Sequence, residues 1–269
     1  MSDALNLAYD AVDGQHDEDS AATRRQLVAG AAATIGGLGL LGVPAAAAAA
    51  ETRSARHSSD PQTILNVAAT AEVVATIINT TGFERGLGGD DVTQRNIEAA
   101  AREELIHYQV LVSSAVGGKP LTKRIWIPDA VFASRTSFLN AVTVGDTVFV
   151  NAYLIGTTVF GNRGNGNLAR ITSEFMAVEL EHRALARQSL GLLGNDKVFA
   201  KYSQAEDAVG APNRGQPGFR RIESAVTALE ARGIGFGKQG SVSPGQFYDF
   251  DTVSQRTPNP ADLSSRAPR

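Results

Sequence analysis

Two tetrads with identical spacing constrain this chain more than any other feature: Glu104 precedes His107 by three residues, and Glu179 precedes His182 by three. Residues three apart on a helix lie on one face, about one turn from each other. Both tetrads also fall on the apolar stripe of an amphipathic helix, where core hydrophobes are expected. Because an unpaired buried carboxylate is costly, the pattern predicts that something inside the core binds these side chains.

Each tetrad is preceded by a helical segment with a single carboxylate on its apolar stripe, Glu72 in the first half and Asp146 in the second. Corresponding residues of the two halves are 74, 75 and 75 positions apart. This spacing indicates a duplicated helix pair, each copy supplying one lone carboxylate and one Glu-x-x-His. The six candidate metal ligands are Glu72, Glu104, His107, Asp146, Glu179 and His182.

Four carboxylates and two imidazoles form the donor set of a carboxylate-bridged di-iron or di-manganese site in a four-helix bundle. Two divalent ions about 4 Å apart need shared anionic oxygens to offset their mutual repulsion. We expect Glu104 and Glu179 to bridge, Glu72 and Asp146 to be terminal ligands, and one histidine to bind each ion. The chain has no cysteine, which excludes thiolate ligands and disulfides.

The first 50 residues have the pattern of an export signal. Arg24 and Arg25 stand directly ahead of an apolar stretch over 29–43, and a run of alanines ends at Ala50. A charged region, a short apolar region and a small-residue cleavage zone form a signal peptide, and the arginine pair is typical of twin-arginine export. An uncleaved N-terminal anchor is the alternative. We therefore expect a protein exported by the twin-arginine machinery to the periplasm, the cell envelope or the exterior.

Removing residues 1–50 takes away six acidic residues and two arginines, which leaves 23 basic and 22 acidic side chains. A nearly neutral chain gives no indication of nucleic acid or anionic lipid as a partner. Of the three remaining histidines, two belong to the tetrads and His57 falls in a polar linker. The expected partners are metal ions and dioxygen or peroxide. Oligomerisation is left open, because the C-terminal tail could block or build subunit contacts.

The pattern of apolar residues predicts an all-α fold with four long helices. Asp60 and Pro61 mark the first helix start as N-cap and N1 residues, and the connection over 119–135 is long enough to cross over along a bundle. The predicted long helices cover about 61–79, 93–117, 136–160 and 168–190, with shorter helices at 196–209 and 219–232. The predicted domains are a signal peptide (1–50), a linker (51–60), a four-helix bundle (61–190), additional helices (191–232) and an irregular tail (233–269).

On these residues the chain resembles the ferritin-like superfamily, and more narrowly exported ferritin-like domain proteins, a group that includes plant and bacterial desiccation-related proteins. The likeness spans about residues 61–190. The residues that carry it are 68–72, 103–107, Asp146 with 151–154, and 177–182. The resemblance implies a ferritin-like four-helix bundle with a long crossover. One position departs from the family pattern: the third-helix ligand is normally Glu, and the shorter Asp146 could weaken or reshape the second metal position.

Two functions are consistent with this pattern. The first is a di-metal oxidoreductase, in which two Fe ions, or alternatively two Mn ions, react with dioxygen or peroxide and so oxidise iron or consume oxidant. The second is a structural or stress-protective envelope protein whose metal site is degenerate or purely structural.

The sequence also predicts the roles or environments of several other side chains. Tyr108 and Tyr153 are candidates for electron relay near a di-iron centre, with a packing role as the favoured interpretation. Trp126 is expected to anchor the crossover. Three further glutamates are expected to face solvent or to pair with neighbouring arginines: Glu103, Glu174 and Glu181.

Overall fold

The computed structural model describes residues 60–196, 218–219 and 221–262. These residues are mostly helical, which confirms the all-α prediction in its coarse form. The predicted signal peptide, the linker as far as residue 59 with His57, and nearly all of the helix expected over 196–209 lie outside the described residues. The four long helices are α1 (Pro61–Glu84), α2 (Asp91–Leu111), α3 (Arg135–Asn162) and α4 (Gly166–Ser189).

Each long helix begins at a side chain that accepts a hydrogen bond from a backbone N–H of its first turn, which satisfies one of the donors left free there. Pro61 follows the first of these caps, where its missing N–H costs nothing. These local signals explain why the predicted helix starts agree with the observed ones to within about two residues. The caps are Asp60, Asp90, Ser134 and Asn165.

Contacts between helix ends fix the directions of the helices. Gln62, at the start of α1, donates to the carbonyl of Gly117 beyond the end of α2. The hydroxyl of Thr93, at the start of α2, lies 2.9 Å from that of Ser189 at the end of α4. Helix α2 is therefore antiparallel to both α1 and α4. Helix α1 also packs on α3, and α3 packs on α4, so the four helices enclose one core.

The connection between α2 and α3 runs the length of these helices. Arg135, at the start of α3, donates to the carbonyl of Gly88 in the loop between α1 and α2. Helix α2, however, ends at the opposite end of the bundle, beside the start of α1. Residues 112–134 must therefore pass from one end of the helices to the other, as the sequence predicts for a crossover.

The tail was predicted to be irregular, and this was wrong for its described part, which contains strands that pair with a strand of the crossover. Strand β1 (Arg124–Pro128) lies in the crossover, and β2 (Gly235–Phe236) and β3 (Gly245–Asp249) lie in the tail. Together they form an antiparallel sheet in the order β2–β1–β3. Strands of two and five residues, paired across more than 100 positions of sequence, are too short to give a periodic signal.

The side chains of β1 alternate between two environments. Ile125 and Ile127 are fully buried in the hydrophobic core. Trp126 points to the other face, where its ring meets that of Phe247 at 5.3 Å and its Nε1 donates to the carbonyl of Val242. Trp126 thus anchors the crossover, as expected, and the tail supplies the surface that holds it.

Three short helical segments complete the described chain: a 3₁₀ turn (Asp129–Phe132) after β1, helix α5 (Glu223–Glu230) and helix α6 (Phe250–Ser254). Helix α5 lies inside the range predicted as 219–232 and packs on α1 and α3. Helix α6 packs on α1, and its Phe250 ring lies 4.3 Å from the ring of Tyr108. Tyr108 is therefore buried under the tail as a packing residue.

Helices α1 and α3 are long and apolar enough to cross a membrane by length and composition alone. In the structure 83% and 61% of their most apolar windows are buried inside the protein. The core helix of a globular domain passes the same test, and each of these two helices also carries a buried carboxylate. Their apolar character is thus accounted for by packing within this chain.

Gly82 and Gly145, both inside long helices, give a matched test of this packing. A Cβ at Gly82 would collide with the ring of Phe138, whereas a Cβ at Gly145 meets nothing within 4 Å. We expect Gly82→Ala to lower the free energy of unfolding by about 1–3 kcal/mol through overpacking. Gly145→Ala should raise it by up to about 1 kcal/mol through helix propensity. Urea denaturation measures both values, and effects of the same sign would contradict the packing.

Candidate metal centre

All six predicted ligands lie in the core enclosed by the four long helices. Helix α1 supplies Glu72, α2 supplies the first tetrad, α3 supplies Asp146, and α4 supplies the second tetrad. The three glutamates have 0% exposed surface, and the other three ligands have at most 6%. A helical period of 3.6 places each of these residues on the same stripe as the core hydrophobes, and this stripe carries them inward.

Four of the six form one tight group. Glu72, Glu104, His107 and Glu179 each present a donor atom, and these atoms all lie within 4.8 Å of one another. Nδ1 of His107 is 3.4 Å from an oxygen of Glu179, 3.6 Å from one of Glu104 and 3.7 Å from one of Glu72. Three carboxylates and an imidazole are donors that suit iron, manganese or zinc, and the group could hold a metal ion.

The remaining two predicted ligands adjoin this group through shared neighbours. Nδ1 of His182 lies 3.1 Å from Oε1 of Glu104, whose other oxygen faces His107. Glu104 therefore stands between the two histidines, with one oxygen toward each. Asp146 is outside the four-residue group, but it is buried close enough to Glu179 and His182 for both to act on its pKa.

Several polar atoms of the cluster make no hydrogen bond, although four of them lie within 3.4–3.7 Å of an oppositely charged group. Within the described part of the chain, six nitrogen and oxygen atoms of the predicted ligands are buried and accept or donate no hydrogen bond. Leaving one such atom unsatisfied costs about 1–3 kcal/mol, and more for a charged group. A metal ion held by the cluster would satisfy several of these atoms together. The atoms are Oε2 of Glu72, Oε2 of Glu104, Nδ1 of His107, Oδ2 of Asp146, and Oε1 and Oε2 of Glu179.

Burial dominates the electrostatics of the acidic side chains. Loss of solvent, reinforced by neighbouring carboxylates, raises the pKa of Glu72 and of Asp146 well above the usual range. The same causes raise the pKa of Glu179 to about 7. Burial would also raise the pKa of Glu104, but its contacts with the two histidines lower it below its usual range. Glu104 is therefore the carboxylate that stays ionised most readily in the metal-free protein.

The environment of Glu103, a neighbour of the cluster, was predicted only in part, since its side chain is 35% exposed but pairs with a predicted ligand. It was expected to face solvent or pair with Arg102, yet its Oε2 lies 2.7 Å from Nε2 of His182. The ring of His182 is thus held on both sides, by Glu103 outside and Glu104 inside. A carboxylate on the outer nitrogen of a ligating histidine fixes the ring orientation and raises its basicity. The Glu103–Glu104 doublet was the available signal, but it cannot show which helix lies opposite.

Two further polar residues reach the ligands from equivalent positions. The hydroxyl of Tyr153, in a side chain that is 2% exposed, donates to Oε1 of Glu72. Nδ2 of Asn79 donates to Oε1 of Glu104 at 3.4 Å. Each residue follows the lone carboxylate of its half by seven positions, two helical turns along the same face. Tyr153 is therefore a core tyrosine that also contacts the cluster.

Comparisons of the chain with protein-family models, with curated proteins and with solved structures find no match. The interpretation of the cluster therefore depends on its geometry and on the chemistry of its donor atoms.

The pKa directions predict that the metal-free protein loses stability as the pH rises. A group whose pKa is raised on folding contributes stability that is complete below its unfolded pKa and lost as the pH passes the folded value. For Glu179 this window runs from 4.5 to about 7. The loss from this one group is on the order of 3 kcal/mol. Glu72, Asp146 and both histidines act in the same direction, while Glu104 alone opposes them.

Urea denaturation of chelator-treated protein at a series of pH values measures this loss. Glu179→Gln should flatten the profile, because an amide does not ionise. Glu181→Gln, an exposed change on the same helix, is the control and should leave the profile as in the wild type. Stability that increases with pH across this window would contradict the electrostatics of the cluster.

Proposed function

We propose that this chain is an exported ferritin-like protein whose buried cluster binds two divalent metal ions, iron or manganese, and that it oxidises iron or consumes an oxidant. The observation that supports this proposal best is the convergence of six buried candidate ligands from four helices, with six of their nitrogen and oxygen atoms making no hydrogen bond in the described chain. Divalent iron or manganese binds carboxylate oxygens and imidazole nitrogens together, and so would satisfy these groups at once.

The charge of the donor set fits two ions better than one. When ionised, the four carboxylates of Glu72, Glu104, Asp146 and Glu179 carry four negative charges, and neutral imidazoles add none. Two divalent cations balance this charge, whereas one would leave two uncompensated negative charges in a core where burying charge is costly. The donor set therefore favours a pair of ions.

The positions of the side chains suggest how they would share the two ions. Glu72 and His107 would hold one ion, Asp146 and His182 would hold the other, and Glu104 would be shared because it faces both histidines. Glu179 would take the same role, since it lies next to His107 and close to Asp146. Bound Fe(II) or Mn(II) would supply the electrons that reduce dioxygen or peroxide.

Other residues of the chain would orient the ligands. Tyr153 donates to Glu72 and Asn79 donates to Glu104, so each holds a carboxylate in place by one of its oxygens. Glu103 fixes the ring of His182 with Nδ1 directed inward. Such outer contacts keep donor atoms in the geometry that the metal requires.

Export through the twin-arginine machinery is part of the proposal and is supported by the sequence of residues 23–50. This route carries proteins that are already folded, often with a cofactor loaded in the cytoplasm. A metal site closed inside a helical core is compatible with such loading before export.

A structural or stress-protective role with a degenerate or purely structural site is the second candidate. The arrangement of His182 favours it, since both ring nitrogens already face carboxylates, Glu103 and Glu104, without any ion. Part of the cluster is therefore satisfied by the chain itself. The shorter side chain of Asp146 points in the same direction.

Metal content separates the two candidates. The proposal predicts about two equivalents of Fe(II) per chain after anaerobic reconstitution, and oxygen uptake when air is admitted. Glu104→Ala and Glu179→Ala should each lose both ions, because each change removes a shared carboxylate. Glu181→Ala, two residues from Glu179 but exposed, is the matched control and should keep both. Elemental analysis after gel filtration gives the stoichiometry; wild type without bound metal would support the structural role.

The contact between Glu103 and His182 predicts that the two ions differ in sensitivity to one outer residue. Glu103→Ala should weaken the affinity for the ion bound by His182 by about 10–100-fold. The affinity for the other ion should stay nearly unchanged. Titration calorimetry should then show two separated phases. Glu174→Ala, exposed on α4, serves as the control. An equal loss of affinity for both ions, or no loss for either, would contradict the assigned role of Glu103.

A further inference from the structure

A cavity of about 250 Å³ lies between α1, α3 and α5. Its walls are apolar and come from all three helices and the segment after α5. The wall residues include Val74, Ile78, Val142, Phe149, Leu229 and Ile234. A concave apolar space of this kind, with a few polar groups at defined points, is the usual form of a small-molecule site.

The two ends of the cavity differ in polarity. Asp146 and Asn79 line it at the buried end, where their side chains are 3% exposed. Asn140 and Arg232 line it at the exposed end. The cavity therefore leads from solvent, between apolar walls, to a residue of the acidic cluster.

Arg232 is the only cation that lines the cavity among the described residues. Its guanidinium makes no hydrogen bond or ion pair with any other described residue. The nearby acidic residue on α5, Glu230, is paired with Lys238 at 3.0 Å. A cation without a partner among the described residues, at the mouth of an apolar cavity, favours a ligand with a negative head and an apolar chain. The apolar walls further in offer that head no charged partner, so Arg232 at the mouth sets its direction.

The volume of the cavity limits the length of the ligand's apolar chain. At roughly 30 Å³ for each water-sized group, the cavity holds about eight methylene-sized groups. A longer chain would leave carbons in solvent, and a much shorter one would leave apolar wall uncovered. Gly145 on α3 also lines the cavity, and a Cβ there meets nothing within 4 Å. A larger side chain at this position would therefore occupy the cavity itself.

We propose that the cavity is a binding site for a small amphiphilic anion, an aliphatic carboxylate of about eight carbons, with its head at Arg232 and its chain directed toward Asp146. The site is independent of the proposed metal function, since the apolar walls and the arginine bind without an ion. If the metal centre is also present, the end of the aliphatic chain would lie beside Asp146, one of the proposed metal ligands.

The test is titration calorimetry with octanoate, 1-octanol and octylammonium on chelator-treated protein. Octanoate should bind most tightly, octanol more weakly, and octylammonium weakest of all. Arg232→Gln should weaken the binding of octanoate by about five-fold, as for the loss of a solvent-exposed ion pair. The binding of octanol should stay unchanged. Arg163→Gln, an exposed arginine at the far end of α3, is the matched control and should have no effect on either ligand.

Gly145→Leu tests the cavity itself and should abolish the binding of both octanoate and octanol while the helix remains folded by circular dichroism. Several results would overturn the proposal: no binding of octanoate to the wild type up to its critical micelle concentration, equal loss in Arg232→Gln and Arg163→Gln, or wild-type affinity in folded Gly145→Leu. None of these results depends on metal, so they leave the metal stoichiometry to be judged separately.

Discussion

The burial of four carboxylates and two imidazoles in one helical core is the constraint on which the rest of this structure depends. Each ionised group that leaves water carries a large desolvation cost, and mutual repulsion among the carboxylates adds to it. The metal-free chain offsets part of this cost by proton uptake, which the raised pKa values of Glu72, Asp146 and Glu179 express. A metal ion held by Glu72, Glu104, His107 and Glu179 would offset more of it, because a donor atom from each of these residues lies within 4.8 Å of the others.

The two halves of the chain supply similar parts to the cluster, but the parts are not identical. The lone carboxylate is Glu72 in one half and Asp146 in the other, and the residue two turns later is Asn79 or Tyr153. Glu103 supports His182, whereas Val178 stands at the matching place ahead of the second tetrad. His107 instead stacks on Phe175 at 3.9 Å. The two ends of the cluster are therefore chemically distinct, one more polar and the other more aromatic.

The sequence was sufficient to predict the four long helices and the burial of all six candidate ligands, because both follow from local rules. Caps and the 3.6 period depend on residues within a few positions of one another. The sheet was missed because β1 finds its partners in the tail, and strands this short have no period to detect. The contacts of Glu103 and Tyr153 with the cluster were missed for a related reason. A periodic stripe tells which face of a helix is buried, but not which side chain of another helix lies opposite.

Anomalous X-ray diffraction from crystals grown with Fe(II) or Mn(II) tests the central claim most directly. The account predicts two peaks at the metal edge, about 4 Å apart, between His107 and His182 with Glu104 reaching both. Anomalous signal confined to the protein surface, or a core whose carboxylates remain paired only with each other and with the histidines, would contradict it.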